Sequence, residues 1–318
     1  MTHDLAVIVL NYRTPGLTID CLASLASEVG PGTRAIVVDN ASGDGSAERI
    51  ERAIADRGWS AWASALRSHV NGGFAAGNNL GIRAVQARAY LLLNSDTLVR
   101  SGALRSLRDA MQLWPAAGII GTGLVDGRGD KTYSCFRTLG PFSELVRGAN
   151  AGPVTRLMRR FEPALPPANE PMESDWVGFA SVLIRREVFD RVGLLDEGYF
   201  MYFEDADFCR RVRQAGWKVL YWPHAKVVHL LGGTSRVTEP SGLQRRAPRY
   251  YYEARARYFA KFYGRQGLWL ANALWCLGRT LSLGRELLGR QAAHRDHEAM
   301  DIWINALDPL RPSRGAPS

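Results

Sequence analysis

Four short apolar runs in the first hundred residues each lead to an Asn or Asp, and amphipathic segments separate them. Leu5–Leu10 stops on Asn11, Ala35–Val38 on Asp39, and Ala89–Leu93 on Asn94-Ser95-Asp96, while Ala63–Arg67 leads to Asn71. Runs this short, apolar throughout rather than alternating, read as strands buried on both faces. Between them lie helical patterns: one opening near Pro15 with Leu17, Cys21, Leu22 and Leu25 on one side, one over about 47–57 behind Ser46, and one over 79–88. Strands alternating with helices at this spacing give βαβ units, and so an α/β fold with an open, mostly parallel sheet. Ligands bind such sheets beyond the carboxyl ends of the strands. Asn11, Asp39, Asn71 and Asp96 all fall there, at one crevice.

Past residue 115 the texture changes. Gly118–Gly123 reads as a strand, Lys131–Phe136 as a hairpin arm, and residues 137–173, rich in Pro, Gly and Arg, as a long mobile loop. Trp176–Ile184 reads as one strand, Glu187–Val192 as a short helix, and Glu204–Gln214 as a longer helix ending at Gly216. Trp217–Tyr221 is then a strand running towards His224 and His229, and Leu268–Leu288 is helical. The expected organisation is a catalytic unit over 1–245, with a nucleotide-binding half (1–115) and an acceptor half (116–245). A basic, helical extension over 246–318 follows, its tail disordered beyond Pro309.

The net charge of +9 calls for an anionic partner. Its location matters: residues 241–318 hold thirteen Lys and Arg against six Asp and Glu. Cys21, Cys135, Cys209 and Cys276 form no CxxC pair, which argues against a zinc ribbon or disulfide framework and fits a reducing cytosol. No run of 18 apolar residues and no leader-like N-terminus is present, so a cytoplasmic protein is expected.

Two carboxylate groupings carry the chemistry. Asp96, behind a Tyr-Leu-Leu-Leu strand, could hold Mg2+ or Mn2+ through oxygen, or cap the next helix. In "FMYFEDADFCRR", residues 200–211, a run of large apolar side chains precedes Glu204, Asp205 and Asp207. Such neighbours desolvate a carboxylate and raise its pKa, which suits a general base near neutral pH. His229, at the end of an apolar strand, could complete a metal site with Asp96. The Asn71–Asn79 segment could cradle phosphate through glycine N–H groups or be a tight strand–helix turn.

Taken in order, "VIVLNYR", "IVVDNASGDGS", "NGGFAAGNNLGI", "LLLNSD" and the stretch from "WVGFASVLIRREVF" through "FMYFEDADFCRR" to "VVHLLGGTS" resemble family 2 inverting glycosyltransferases of the GT-A fold, nearest to bacterial rhamnosyltransferase-like members. The resemblance covers about residues 5–265. It implies a nucleotide-sugar pocket built from Asn11, Tyr12, Asp39, Asn71, Gly73, Asn78, Asn79, Asn94, Ser95 and Asp96. Asn94-Ser95-Asp96 stands where the family has DxD, so metal binding rests on Asp96, with His229 as a further ligand. Glu204-Asp205 matches the family's acidic pair, whose second member is the base. Trp176 and Gly178 fall on the stretch facing the acceptor, and Ser235 or Arg236 could reach the phosphates. The implied reaction moves one sugar per encounter from dTDP-L-rhamnose to a saccharide or polyprenyl-diphosphate-linked acceptor, with Mn2+ or Mg2+. A UDP-hexose or UDP-N-acetylhexosamine donor with a soluble acceptor is the alternative.

Other classes fit less well. A nicotinamide dehydrogenase would want GxGxxG after the first strand, where Asn-Tyr-Arg-Thr-Pro-Gly stands, and a sugar nucleotidyltransferase a glycine-rich opening there. A non-catalytic anionic-ligand or membrane-binding protein would leave the acidic pair unexplained, and no nucleic-acid partner is expected. Trp269, Leu270, Leu274, Trp275, Leu277 and Leu281, with Arg279, Arg285 and Arg290, read as an interfacial helix against an anionic membrane. The cluster Arg245, Arg246, Arg249, Arg255, Arg257, Lys261 and Arg265 would then meet an acceptor diphosphate. Packing on the catalytic unit, or on a second copy in a homo-oligomer, is the competing reading.

Overall fold

The computed structural model of the chain describes residues 2–230, 246–287, 295 and 297–313. Its strands are β1 (His3–Asn11), β2 (Thr33–Asp39), β3 (Ala63–Arg67), β4 (Ala87–Asn94), β5 (Thr97–Val99), β6 (Ala117–Val125), β7 (Cys135–Phe136), β8 (Met172–Glu173), β9 (Trp176–Val177), β10 (Ser181–Arg185) and β11 (Lys218–His229). Its helices are α1 (Pro15–Ala26), α2 (Ser46–Asp56), α3 (Gly73–Ala84), α4 (Ala103–Leu113), α5 (Pro141–Ala149), α6 (Gly152–Leu157), α7 (Arg186–Val192), α8 (Glu204–Gln214), α9 (Arg249–Leu287) and α10 (Glu298–Asp301).

The main sheet runs β3-β2-β1-β4-β10-β6-β11-β5, and β8 also pairs with β11. β1 is parallel to β2 and β4, β2 to β3, and β6 to β11; β10 lies antiparallel between β4 and β6. Successive side chains of a strand point to opposite faces. Accordingly Leu5, Val7 and Val9 join α1, α2 and α4 in one core, while Ala6 and Ile8 join α3, α7 and α8 in the other. Helices therefore cover both faces, which is why the strands read as continuous apolar runs.

Three expectations change. The glycine-rich segment expected as a loop is the first half of α3. A Cβ on Gly77 would lie 2.4 Å from Leu10 Cδ1, and one on Gly81 2.6 Å from Ile8 Cγ2. These glycines let a helix approach the sheet closely. Trp176–Ile184 is two strands, β9 pairing with β7 and β10 with β4 and β6, with Gly178-Phe179-Ala180 between them. Residues 137–173 are not one long loop. They hold α5 and α6, each with a proline in its first turn, a position that needs no backbone N–H.

α5 is the seat of the C-terminal extension. A Cβ on Gly278 would sit 2.4 Å from the Leu145 carbonyl oxygen, so α9 touches α5 backbone to backbone. Arg255, 1% exposed, donates to Glu144 Oε2 at 2.8 and 3.0 Å. Burial pushes the Glu144 carboxyl up, yet Arg147 and Arg255 together hold it down at about 2. α9 itself breaks at Gly264, where φ is 70°. Part of the tail expected to be disordered is tied down: Ser313 N donates to the Gly198 carbonyl at 2.9 Å, and Arg257 to that of Leu310.

Candidate active site

Parallel register brings the strand ends together. Asn11 pairs with Asp39 across β1–β2, Leu10 with Asn94 across β1–β4, and Asp39 with Arg67 across β2–β3. Asn11 Nδ2 donates to Asp39 Oδ1 at 2.7 Å, and Ser42 donates to the same carboxylate from Oγ (2.6 Å) and from its backbone N (3.1 Å). Thr18 Oγ1 donates to Asn11 Oδ1 at 2.8 Å. Asn11, wholly buried, thus orients Asp39, and Tyr12 follows it, half-buried, under the Arg13 guanidinium.

Next to this edge Asn71 Oδ1 accepts from Asn40 Nδ2 (2.8 Å) and Gly73 N (3.0 Å), which fixes the start of α3. Asn78 donates to the Phe74 carbonyl at 2.9 Å. Asn79, 0% exposed, exchanges hydrogen bonds with the backbone of Leu195 and donates to Glu197. The amides of Asn78 and Asn79 thus bind the fold itself, one within α3 and one to the segment that leads towards Glu204.

At the end of β4, Ser95 Oγ lies 3.0 Å from Thr14 Oγ1. Asp96, 1% exposed, has Oδ1 3.4 Å from His229 Nε2, and its carbonyl accepts from Leu230 N at 2.9 Å. Pairing of β11 with β5, His229 opposite Thr97, sets this juxtaposition across 133 positions of sequence. β5 itself escaped the sequence reading: three residues offer no periodicity. One carboxylate oxygen and one imidazole nitrogen, side by side at a strand end, could supply two ligands to a divalent ion such as Mn2+ or Mg2+. Among the described residues no group of three or more His, Cys, Asp or Glu could hold a metal unaided.

The second carboxylate pair opens α8. Tyr202 and Phe203 have φ of 73° and 65°, and this left-handed turn delivers Glu204 and Asp205 to the helix N-terminus. Glu204 is buried, with Oε2 lacking a hydrogen-bond partner among the described residues, and Asp205 is half-buried. Burial pushes the Asp205 carboxyl up to about 6, with the backbone amides of Ala206 and Phe179 pulling the other way. Burial, and then the charges of Asp205 and Asp207, push Glu204 well above the carboxylate range. Glu204 is therefore the harder of the two to ionise, and Asp205 the better placed to accept a proton.

Gly178-Phe179-Ala180 joins the two groupings. Phe179 N serves Asp205, and the Ala180 carbonyl accepts from Asn94 N at 2.9 Å, so Asp205 and the Asn94–Asp96 corner flank one three-residue link. A Cβ on Gly178 would meet nothing within 4 Å. Trp176, stacked on Phe136 with centroids 4.0 Å apart, borders a cleft of about 440 Å³ with Leu139, Arg147 and Tyr251.

Sequence reasoning missed what holds the aromatic run. Phe200, Tyr202 and Phe203 pack on Tyr250, Tyr251 and Tyr258 of α9, with centroids 5.2–6.0 Å apart. The repeated Tyr250-Tyr251-Tyr252 was the available signal. The basic cluster also differs from expectation. Arg255 binds Glu144, Arg257 and Lys261 bind Asp196, Arg246 binds Asp301, and Arg249 binds Glu253, so these charges face internal carboxylates rather than an acceptor diphosphate. Arg245, Ser235, Arg236 and Arg290 lie outside the described residues.

Comparison with known proteins agrees with this geometry. Residues 3–253 match the family model described as "Glycosyltransferase like family 2". The chain is 27% identical, over 93% of its length and 96% of the relative's, to the N-acetylglucosaminyl-diphospho-decaprenol L-rhamnosyltransferase of Mycobacterium tuberculosis. A shorter stretch, 27% of the chain and 31% of the relative, is 33% identical to rhamnosyltransferase WbbL of Escherichia coli K12. In fold it is similar to the mannosyltransferase PcManGT of Pyrobaculum calidifontis, solved with GDP-Man and Mn2+: TM-score 0.54, 15% identity, 98% of this chain and 85% of that one. The fold is thus GT-A, and the protein belongs to the family 2 glycosyltransferases.

Proposed function

We propose that the protein transfers a single L-rhamnose, with inversion, from dTDP-L-rhamnose to a polyprenyl-diphosphate-linked saccharide. The observation that carries the reading is the convergence on one sheet edge of Asp96–His229 and Glu204–Asp205, joined through residues 178–180. The rhamnosyl donor and lipid-linked acceptor are drawn from the names of the relatives.

In this reading Asp205 takes the proton of an acceptor hydroxyl. The acceptor oxygen forms its bond to the anomeric carbon while the bond to the nucleoside diphosphate breaks on the opposite face. Glu204, the harder of the two to ionise, limits the negative charge beside the nucleophile. Trp176, with the cleft beside it, offers an aromatic surface for the acceptor saccharide, and Asp39 and Tyr12 line the nucleoside end. Asp96 and His229 would hold Mn2+ or Mg2+, which when bound offsets negative charge on the leaving diphosphate.

The acceptor class implies a membrane, and α9 supplies a surface for one. Its inner face (Leu268, Ala271, Trp275, Gly278) is buried, while Trp269, Leu270, Leu277 and Leu281 are each about half exposed and Leu287 is 89% exposed. No helix among the described residues is long and apolar enough to cross a membrane. An amphipathic helix with an apolar outer face lies in the interface instead. With Arg279 paired to Glu286 and Arg285 donating to the Asn150 carbonyl, apolar contact rather than charge dominates this docking. The test offers the protein dTDP-L-rhamnose, UDP-N-acetylglucosamine, UDP-glucose and GDP-mannose with a short polyprenyl-diphosphate N-acetylglucosamine. Product from dTDP-L-rhamnose alone is expected; product only from another donor would overturn the donor assignment.

A further inference from the structure

We propose that Lys261, on the C-terminal helix, is a positioning residue for the catalytic carboxylate: with Asp196 and Asp207 it forms a clamp across the turn that presents Asp205. The proposal rests on the assignment of Asp205 as the base.

The turn needs holding. Two consecutive non-glycine residues at positive φ, Tyr202 and Phe203, are costly and persist only where the surroundings over-determine them. One constraint comes from the donor side, where Phe74 N donates to the Phe200 carbonyl at 2.7 Å. The other comes from α9. Lys261 Nζ lies 2.7 Å from Asp196 Oδ2, ahead of the turn, and 2.5 Å from Asp207 Oδ1, just behind it. One ammonium group thus pins both ends of the segment that carries Glu204 and Asp205.

The neighbouring cations do not duplicate it. Arg211 takes Asp207 Oδ2 at 2.7 Å, but it sits on α8 with Asp207 and ties that helix only to itself and to the carbonyls of Val192 and Leu194. Arg257 grips both oxygens of Asp196 at 2.9 and 3.0 Å and lies flat on the loop, where a Cβ on Gly198 would come within 2.2 Å of its guanidinium carbon. Tyr199 Oη adds a 3.4 Å hydrogen bond to Asp207 Oδ1. Among the described residues Lys261 alone pairs with both carboxylates. An ammonium, a compact charge with three donors on a flexible stem, suits that task. Asp207 is wholly buried and Asp196 16% exposed, so water and salt screen these contacts little.

The role predicts an asymmetric kinetic signature. A misplacement of about 1 Å at a reacting group costs about 10²-fold in rate. Lys261→Met should therefore lower kcat by about 10²-fold while donor KM stays unchanged, and Lys261→Arg should recover most of the loss. Sites competent to bind dTDP, counted by titration calorimetry, normalise each rate to folded protein. Wild-type kcat per dTDP site in Lys261→Met would overturn the proposal, as would kcat and donor KM moving together, or no recovery in Lys261→Arg. If Lys261→Met yields no dTDP-binding protein, Asp196→Asn breaks the same clamp at its other end. There a kcat loss of at least about 10-fold with donor KM unchanged is expected, and an unchanged kcat overturns the proposal. Asp205→Asn run in parallel separates the two assignments: its full activity would remove the base itself, whereas an inactive Asp205→Asn beside a fully active Lys261→Met would remove only the clamp.

Discussion

Gly73→Ala probes the joint between the donor side and the base. Gly73 has φ of +81°, and a Cβ there would lie 1.9 Å from the Phe200 carbonyl oxygen and 2.6 Å from its carbon. Left-handed backbone costs an alanine about 1–2 kcal/mol. Relieving the clash parts α3 from the Phe200 turn by about 1 Å and sacrifices the Phe74–Phe200 hydrogen bond, worth about 0.5–1.5 kcal/mol net. The sum, roughly 1.5–3.5 kcal/mol, is below the ~5–15 kcal/mol of a typical domain, so the variant folds. Turnover should nevertheless fall about 10²-fold, because the displacement occurs four residues before Glu204. Gly58→Ala is the matched control: φ is +69°, but nothing lies within 4 Å of its Cβ, so it incurs the backbone cost without the clash. Thermal unfolding gives the stability of both variants, and two-substrate kinetics give their turnover. A folded Gly73→Ala protein with wild-type kcat, or equal losses in the two variants, would refute the coupling of donor segment and base.

The remaining predictions concern the two carboxylate groupings and the outer face of α9. With the Asp205 carboxyl at about 6, kcat should be half its plateau value near that pH, fall further below it as the base gains its proton, and be level from about one unit above it to pH 8; a profile flat down to pH 5 would contradict this. A chelator should abolish activity and Mn2+ or Mg2+ restore it. Asp96→Ala should weaken dTDP binding far more than thymidine binding, as isothermal titration would show, and His229→Ala should raise the metal concentration needed for half-maximal rate. Trp269→Ser with Leu277→Ser should release the protein from anionic liposomes in flotation while leaving transfer to a short-chain, detergent-dispersed acceptor intact.

Legibility in the sequence followed the range of the interactions. β3 and α8 are found over 63–67 and 204–214, as their local patterns predict, because apolar periodicity and a Gly after the last turn are signals within a few residues. Gly73–Asn79 misled because glycine ordinarily breaks structure, whereas here Gly77 admits a helix to the surface of Leu10. Residues 137–173 misled for a related reason, since Pro141 and Pro153 open helices rather than interrupt them. The basic extension was the largest misreading. Its partners Glu144, Asp196 and Asp207 stand 54 to 111 positions away, and no local pattern reveals that a cation is already paired. For the site, the order of motifs placed Asp96, His229, Glu204 and Asp205 on one list of chemistry. Their arrangement around residues 178–180 needed the fold.

The central claim, that Asp205 is the base of a sugar transfer, is tested most directly by Asp205→Asn assayed for both transfer and donor binding. The account predicts dTDP-L-rhamnose affinity within about threefold of wild type, since a base contributes to the rate rather than to donor binding, and transfer lowered by about 10²–10⁴-fold. Transfer near the wild-type rate by folded, donor-binding Asp205→Asn would contradict it.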